Sequence, residues 1–81
     1  MKYYCWDEIN FERDQAEEFM APSPRSAAIL YAENDLGGVN DGVYIDGPHP
    51  ILVEDEDGTR FRVLVTAYIE PVFAIHSLEE L

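Results

Sequence analysis

The sequence predicts an α+β domain: an antiparallel sheet of four to five strands with a single helix packed on one face, in the order ββαβββ. Three observations carry this expectation. Aromatic and thiol side chains alternate over Lys2 to Asp7. Ser23-Pro24 opens a segment with alanines at three- and four-residue spacing, and Asp57-Gly58 separates two apolar segments.

The first strand places Tyr4 and Trp6 on one face and Tyr3 and Cys5 on the other. The polar stretch Glu8 to Gln15 interrupts the pattern. Ala16 to Ala21 resumes it as a second strand, with Phe19 and Ala21 toward a buried side, so a hairpin with a long loop is the economical connection. At Pro22-Ser23-Pro24-Arg25, Ser23 can accept from an orphan amide and Pro24 fits the first helical turn. Ala27, Ala28, Tyr31 and Ala32 then form a small-residue face able to lie close on a sheet, and Gly37-Gly38 is the expected end. Ile29 and Leu30 widen the apolar arc, either as core or as a surface for a partner.

Gly37 to Pro50 reads as a long surface connection with a short extended piece at Val43 to Ile45. A strand from Ile51 to Glu54 leads into the acidic turn, and Arg60 to Tyr68 alternates with Phe61, Val63, Val65 and Ala67 on one face. Pro71 breaks the pattern, so Val72 to His76 is expected as a separate edge strand.

With 81 residues, of which 47% are hydrophobic and 12% aromatic, the chain holds enough large side chains for one core, and residues 1–81 read as a single domain. Seventeen carboxylates face five basic residues, Lys2, Arg13, Arg25, Arg60 and Arg62, for a formal charge of −12. That balance opposes direct binding to nucleic acid or to an anionic membrane and favours capture of a basic partner. The single cysteine and the absence of an apolar run of membrane-spanning length place the expected location in the cytoplasm.

A nucleophile needs an activating base and a group that orients it, and none of Cys5, Ser23, Ser26 or Ser77 stands in such a motif with His49 or His76. His49 lies between prolines and reads as a loop residue. Cys5, His49 and His76 are too few for zinc. Asp55, Asp57 and Gly58 resemble the middle of a calcium loop, but with Gly58 in the sixth place the first and twelfth positions fall on Val53 and Leu64. No glycine motif precedes a helix to cradle phosphate. The expectation is a chain with no cofactor, no metal and no enzymatic activity.

The negative charge falls in two clusters. Asp7, Glu8, Glu12, Asp14, Glu17 and Glu18 come early, and Glu54, Asp55, Glu56 and Asp57 come at a hairpin tip. On one side of the molecule the two would imitate a row of phosphates, with Tyr3, Tyr4, Trp6, Tyr44 and Tyr68 as candidate aromatic anchors.

Tyr3-Tyr4-Cys5-Trp6-Asp7-Glu8, the Ser-Pro start leading into Ala27-Ala28 and Tyr31-Ala32-Glu33, and Glu54-Asp55-Glu56-Asp57-Gly58 together resemble small acidic proteins of bacteria and their phages. That class includes inhibitors of host defence, anti-CRISPR proteins among them. The resemblance implies an inhibitor of a nucleic-acid-binding complex acting in a host cytoplasm, and it assigns no individual residue. The competing expectation is a small structural or accessory protein whose acidity serves solubility and whose edge strand or helix mediates self-association, with Val72-Phe73-Ala74-Ile75 as the edge that a homodimer would bury.

Overall fold

Lys2 to Asp7 form the interior strand β1, and the alternation of their side chains builds two different surfaces. The structure, a computed structural model, describes residues 1–36, 48–67 and 73–81. β2 (Glu17–Met20), β3 (His49–Asp55), β4 (Arg60–Ala67) and β5 (Phe73–Glu80) complete a sheet in the order β2-β1-β3-β4-β5, antiparallel throughout. Helix α1 (Pro24–Tyr31) lies between β2 and β3 in the chain and covers one face, so the expected architecture is found.

α1 begins where its cap dictates. Ser23 is extended, with φ −155° and ψ 162°, and its Oγ accepts the Ser26 N–H at 3.2 Å. Pro24 takes the first helical position, where its missing N–H leaves nothing unpaired. Ser23→Ala is expected to lower stability by about 0.5 to 2 kcal/mol, read as a lower urea midpoint at constant slope. Ala27, Ala28, Tyr31 and Ala32 turn to the sheet and bury themselves against Tyr3, Cys5, Ile51, Val53, Val63 and Val65. The alanines let the helix approach closely, and each fully buried aliphatic of β3 and β4 contributes about 1.5 to 3 kcal/mol. Ile29 packs at the edge of this core, whereas Leu30 is exposed.

Several boundaries differ from the sequence expectation. α1 gives way after Tyr31 to a wider π turn, Ala32–Leu36. The expected stop at Gly37-Gly38, the extended piece at Val43 to Ile45, and Tyr68, Pro71 and Val72 lie outside the described residues. β3 begins at His49, so His49 is a strand residue paired with Val65 and not a loop residue. β5 runs to Glu80 instead of stopping at His76. Leu78 pairs with Val63 and packs on the core, and a bulge opposite Leu64/Val65 absorbs His76.

The β3–β4 connection turns at Asp57-Gly58 with one refinement. No described non-glycine residue has positive φ, which excludes a two-residue type I′ turn, and Gly58 alone takes φ 88°. Asp55 and Gly58 close a turn through the Gly58 N–H at 3.1 Å, and Asp55 N–H donates to the Thr59 carbonyl at 2.9 Å. The result is a three-residue loop with glycine at its left-handed position.

Candidate functional site

The face of the sheet away from α1 gathers most of the polar chemistry. Register places Glu18, Tyr4, Glu54 and Arg60 in one cross-strand row and Trp6, Leu52, Arg62 and Glu79 in the next. The loop between β1 and β2 carries a 3-10 turn, Arg13–Gln15, and folds back over this face. Arg13 stacks over Tyr4 at 4.5 Å and stands 5.9 Å from the Trp6 ring, while Arg60 covers Trp6 at 5.3 Å. Both guanidinium groups reach Glu54, Arg13 Nε to Oε2 and Arg60 Nε to Oε1, each at 2.8 Å. Arg62 grips Glu8 with two hydrogen bonds of 2.7 and 2.8 Å. Trp6 is consequently only 3% exposed, although it faces away from the helix.

These contacts sort the ten acidic candidates. Hydrogen bonding by Arg60, and then by Arg13, holds the Glu54 carboxyl below the usual carboxylate range despite its partial burial. Arg62 does the same for Glu8. Asp55 is spent on the turn, where its Oδ1 accepts the N–H groups of Asp57 and Thr59, both at 2.9 Å. Glu18 lies 3.7 Å from Lys2 Nζ, and Glu56 accepts the Lys2 N–H at 3.3 Å. Glu12, Asp14, Glu17 and Asp57 are exposed, and no basic side chain among the described residues pairs with them.

Asp7 departs most from the expected surface cluster: it is 2% exposed and faces the core side. Burial pushes its carboxyl up. Hydrogen bonds from the Asn10 amide and the Ile9 N–H, together with the close approach of His49, outweigh that and hold it below the ordinary range. The Asn10 contact is 2.7 Å, the Ile9 contact 2.9 Å, and His49 Nε2 sits 2.7 Å from Oδ1. The Asp7 N–H donates to the Tyr31 hydroxyl at 2.9 Å, which ties the strand to the helix. Burial and the nearby Asp7 charge raise the Tyr31 hydroxyl, and burial pushes the Cys5 thiol up to about 12. A thiol so placed is protonated at neutral pH and weakly reactive. Among the described residues no group of three His, Cys, Asp or Glu side chains is arranged to hold a metal ion. No described helix is long and apolar enough to cross a membrane.

The aromatic anchors also shift. Tyr3 and Trp6 are buried, Tyr4 lies beneath Arg13, and Tyr44 and Tyr68 fall outside the described residues. Met20 on β2 and Leu30 on α1 are exposed elsewhere, but two of the exposed large apolar side chains sit in the acidic loop itself, Ile9 at 66% and Phe11 at 45%. Sequence reasoning passed over both because they interrupt a polar stretch without periodicity. Their signal was a large apolar residue flanked by carboxylates in a loop.

Among the described residues four of the five bases pair with Glu8, Glu18 and Glu54, and the formal charge of −12 leaves most of the chain's carboxylates without a basic partner. Arg13 pins the loop beside the foot of the β3–β4 hairpin, which brings an anchor point of each acidic cluster to the same face of the sheet. The arrangement is suited to recognition: an immobilised loop with two apolar side chains among unneutralised carboxylates. Comparison with family models, with characterised proteins and with solved structures finds no match, so the surface is read from its own residues.

Proposed function

We propose that the chain is a non-enzymatic acidic binding protein that occupies a basic, nucleic-acid-binding site on a partner protein, as a phage or mobile-element inhibitor of the anti-CRISPR type does. The observation that carries this reading is the clamped loop, in which Ile9 and Phe11 stand exposed beside Glu12, Asp14 and Glu17. Apolar anchors supply affinity and the surrounding carboxylates steer a cationic groove toward them. The Arg13–Glu54 contact lowers the ordering entropy lost on binding.

The accessory reading has its own observation, since among the described strands β5 lies at an edge and pairs only with β4. Its described length, however, carries a bulge at His76 and the charges of Glu79 and Glu80, all features that discourage edge-to-edge pairing.

The test is capture of a partner from a lysate of the native host on immobilised protein. The expected partner is basic, leaves the column as salt rises from about 0.1 M to 1 M, where the screening length falls from about 10 to 3 Å, and is displaced by excess DNA or RNA. A partner held through high salt and indifferent to nucleic acid contradicts the proposal.

A further inference from the structure

Arg25 is set apart from the other four bases. Lys2, Arg13, Arg60 and Arg62 are paired on the open sheet face, whereas Arg25 stands exposed in the first turn of α1, on the other side of the sheet, without an ion pair among the described residues. It lines a shallow hollow with Pro22, Ser26, Ile29, Leu30 and Glu33. Ile29 and Leu30 contribute apolar lining, and Leu30 is 39% exposed.

The charges of this hollow are symmetric about its centre. Arg25 lies four residues before Ile29 and Glu33 four residues after it, so base and acid stand about one turn either side of an apolar middle. Two such helices packed antiparallel across a two-fold axis at Ile29 bring each Arg25 opposite the Glu33 of the partner subunit, twice per dimer. A parallel pairing would set like charges together. We propose that this face of α1 is the contact surface for a second copy of the chain, joined as an antiparallel helix pair with two reciprocal Arg25–Glu33 ion pairs. The inference is independent of the acidic-loop reading, because loop and hollow lie on opposite sides of the sheet.

One eight-residue helix per protomer covers less than the roughly 800 Å² a side of a standard stable interface, which makes the dimer weak. Each protomer also carries −12, so long-range repulsion opposes association until salt screens it. The dimer therefore forms more readily at about 0.15 M salt than at 0.01 M, the reverse of the response expected for a cationic partner on the acidic loop.

Sedimentation equilibrium of the full chain up to about 1 mM, in about 0.15 M salt, tests this with R25E, E33R, the double swap R25E/E33R, and L30D. Each single reversal turns both attractive pairs repulsive and is expected to raise the dissociation constant about tenfold or more. The double swap restores the pairing and returns the constant to within about threefold of the original. An equimolar mixture of the two single variants regains the dimer, while L30D weakens it about tenfold with both charges in place. A strictly monomeric native chain at 1 mM overturns the proposal. So does a dimer indifferent to either reversal, or one that the swap fails to restore while circular dichroism shows the variant folded.

Discussion

Replacing Trp6 by alanine is expected to lower the unfolding free energy by about 3 to 5 kcal/mol, the loss of a large aromatic side chain from a closed site. The size follows from where the ring sits. Trp6 belongs to the sheet face away from α1, yet it is buried beneath Arg13 and Arg60, with Leu52 beside it on β3. Removing it opens a void and also takes away the surface on which Arg60 rests and toward which Arg13 leans. A chain of 81 residues has a stability of about 4 to 12 kcal/mol in all, so the variant is marginal at room temperature. Trp6→Phe keeps a ring under both guanidinium groups and should lose only about 1.5 kcal/mol or less. Urea unfolding followed by circular dichroism measures both. A loss below about 1 kcal/mol for the alanine variant would mean that the arginine layer does not seal this face.

Asp7→Ala has the second largest expected effect, about 3 kcal/mol, because it removes one member of a buried polar group and leaves the others unpaired. The Ile9 N–H and the Asn10 amide lose their acceptor, and His49 Nε2 loses the carboxylate oxygen 2.7 Å away. For a domain of this size the change corresponds to a fall of roughly 12 to 24 °C in melting temperature. The same carboxylate imposes a pH dependence. Its pKa is lower in the folded chain than in the unfolded one, so the unfolded chain binds more protons on acidification. The stabilisation is present above the ordinary aspartate value of about 4 and is lost as pH falls through the depressed folded value. Glu8 and Glu54, held down by Arg62 and by Arg60 with Arg13, titrate in the same sense. Acid unfolding curves of Asp7→Asn should therefore be flatter than those of the native chain below about pH 4. Curves of equal slope would contradict the assignment.

Trp6 and Asp7 are neighbours in the sequence, and their different roles show which relations are local. Alternation along Lys2 to Asp7 assigns the two to opposite faces, and the Ser23 cap and the Gly58 turn follow from chemistry within four residues. These parts of the fold were readable because each depends on adjacent backbone. The arginine layer was not, since Arg13 meets Glu54 across 41 positions and Arg62 meets Glu8 across 54. Charge counting treats such residues as surface, and no periodic pattern announces a guanidinium lying on an indole. His49 is a similar case. Two flanking prolines mark a loop, but pairing with β4 draws the residue into the sheet and onto Asp7. β5 extended past His76 for the same reason. Ser77-Leu78-Glu79-Glu80 has one apolar residue, and the strand is held by Val63 and Arg62 across the ladder, with nothing in its own composition to signal it.

The acidic surface was legible as a total and only partly as a site. Glu12, Asp14, Glu17 and Asp57 remain exposed without a base, while Asp7, Glu8, Glu54 and Asp55 turn out to hold the fold together. The two sets make opposite forecasts under mutation. Neutralising the second should destabilise the domain, and neutralising the first should leave stability within about 0.5 kcal/mol per site.

That difference supplies the most direct test of the proposed function. Partner capture from the host lysate is compared for the native chain and for the variant Glu12→Gln, Asp14→Asn, Glu17→Gln, with Phe11→Ala as a second arm, after confirming that all three melt alike. The triple variant is expected to release the nucleic-acid-displaceable partner at markedly lower salt, with association slowed about tenfold or more, and Phe11→Ala to weaken retention chiefly through faster dissociation. Capture of the same partner at the same salt by all three proteins would contradict the proposed function.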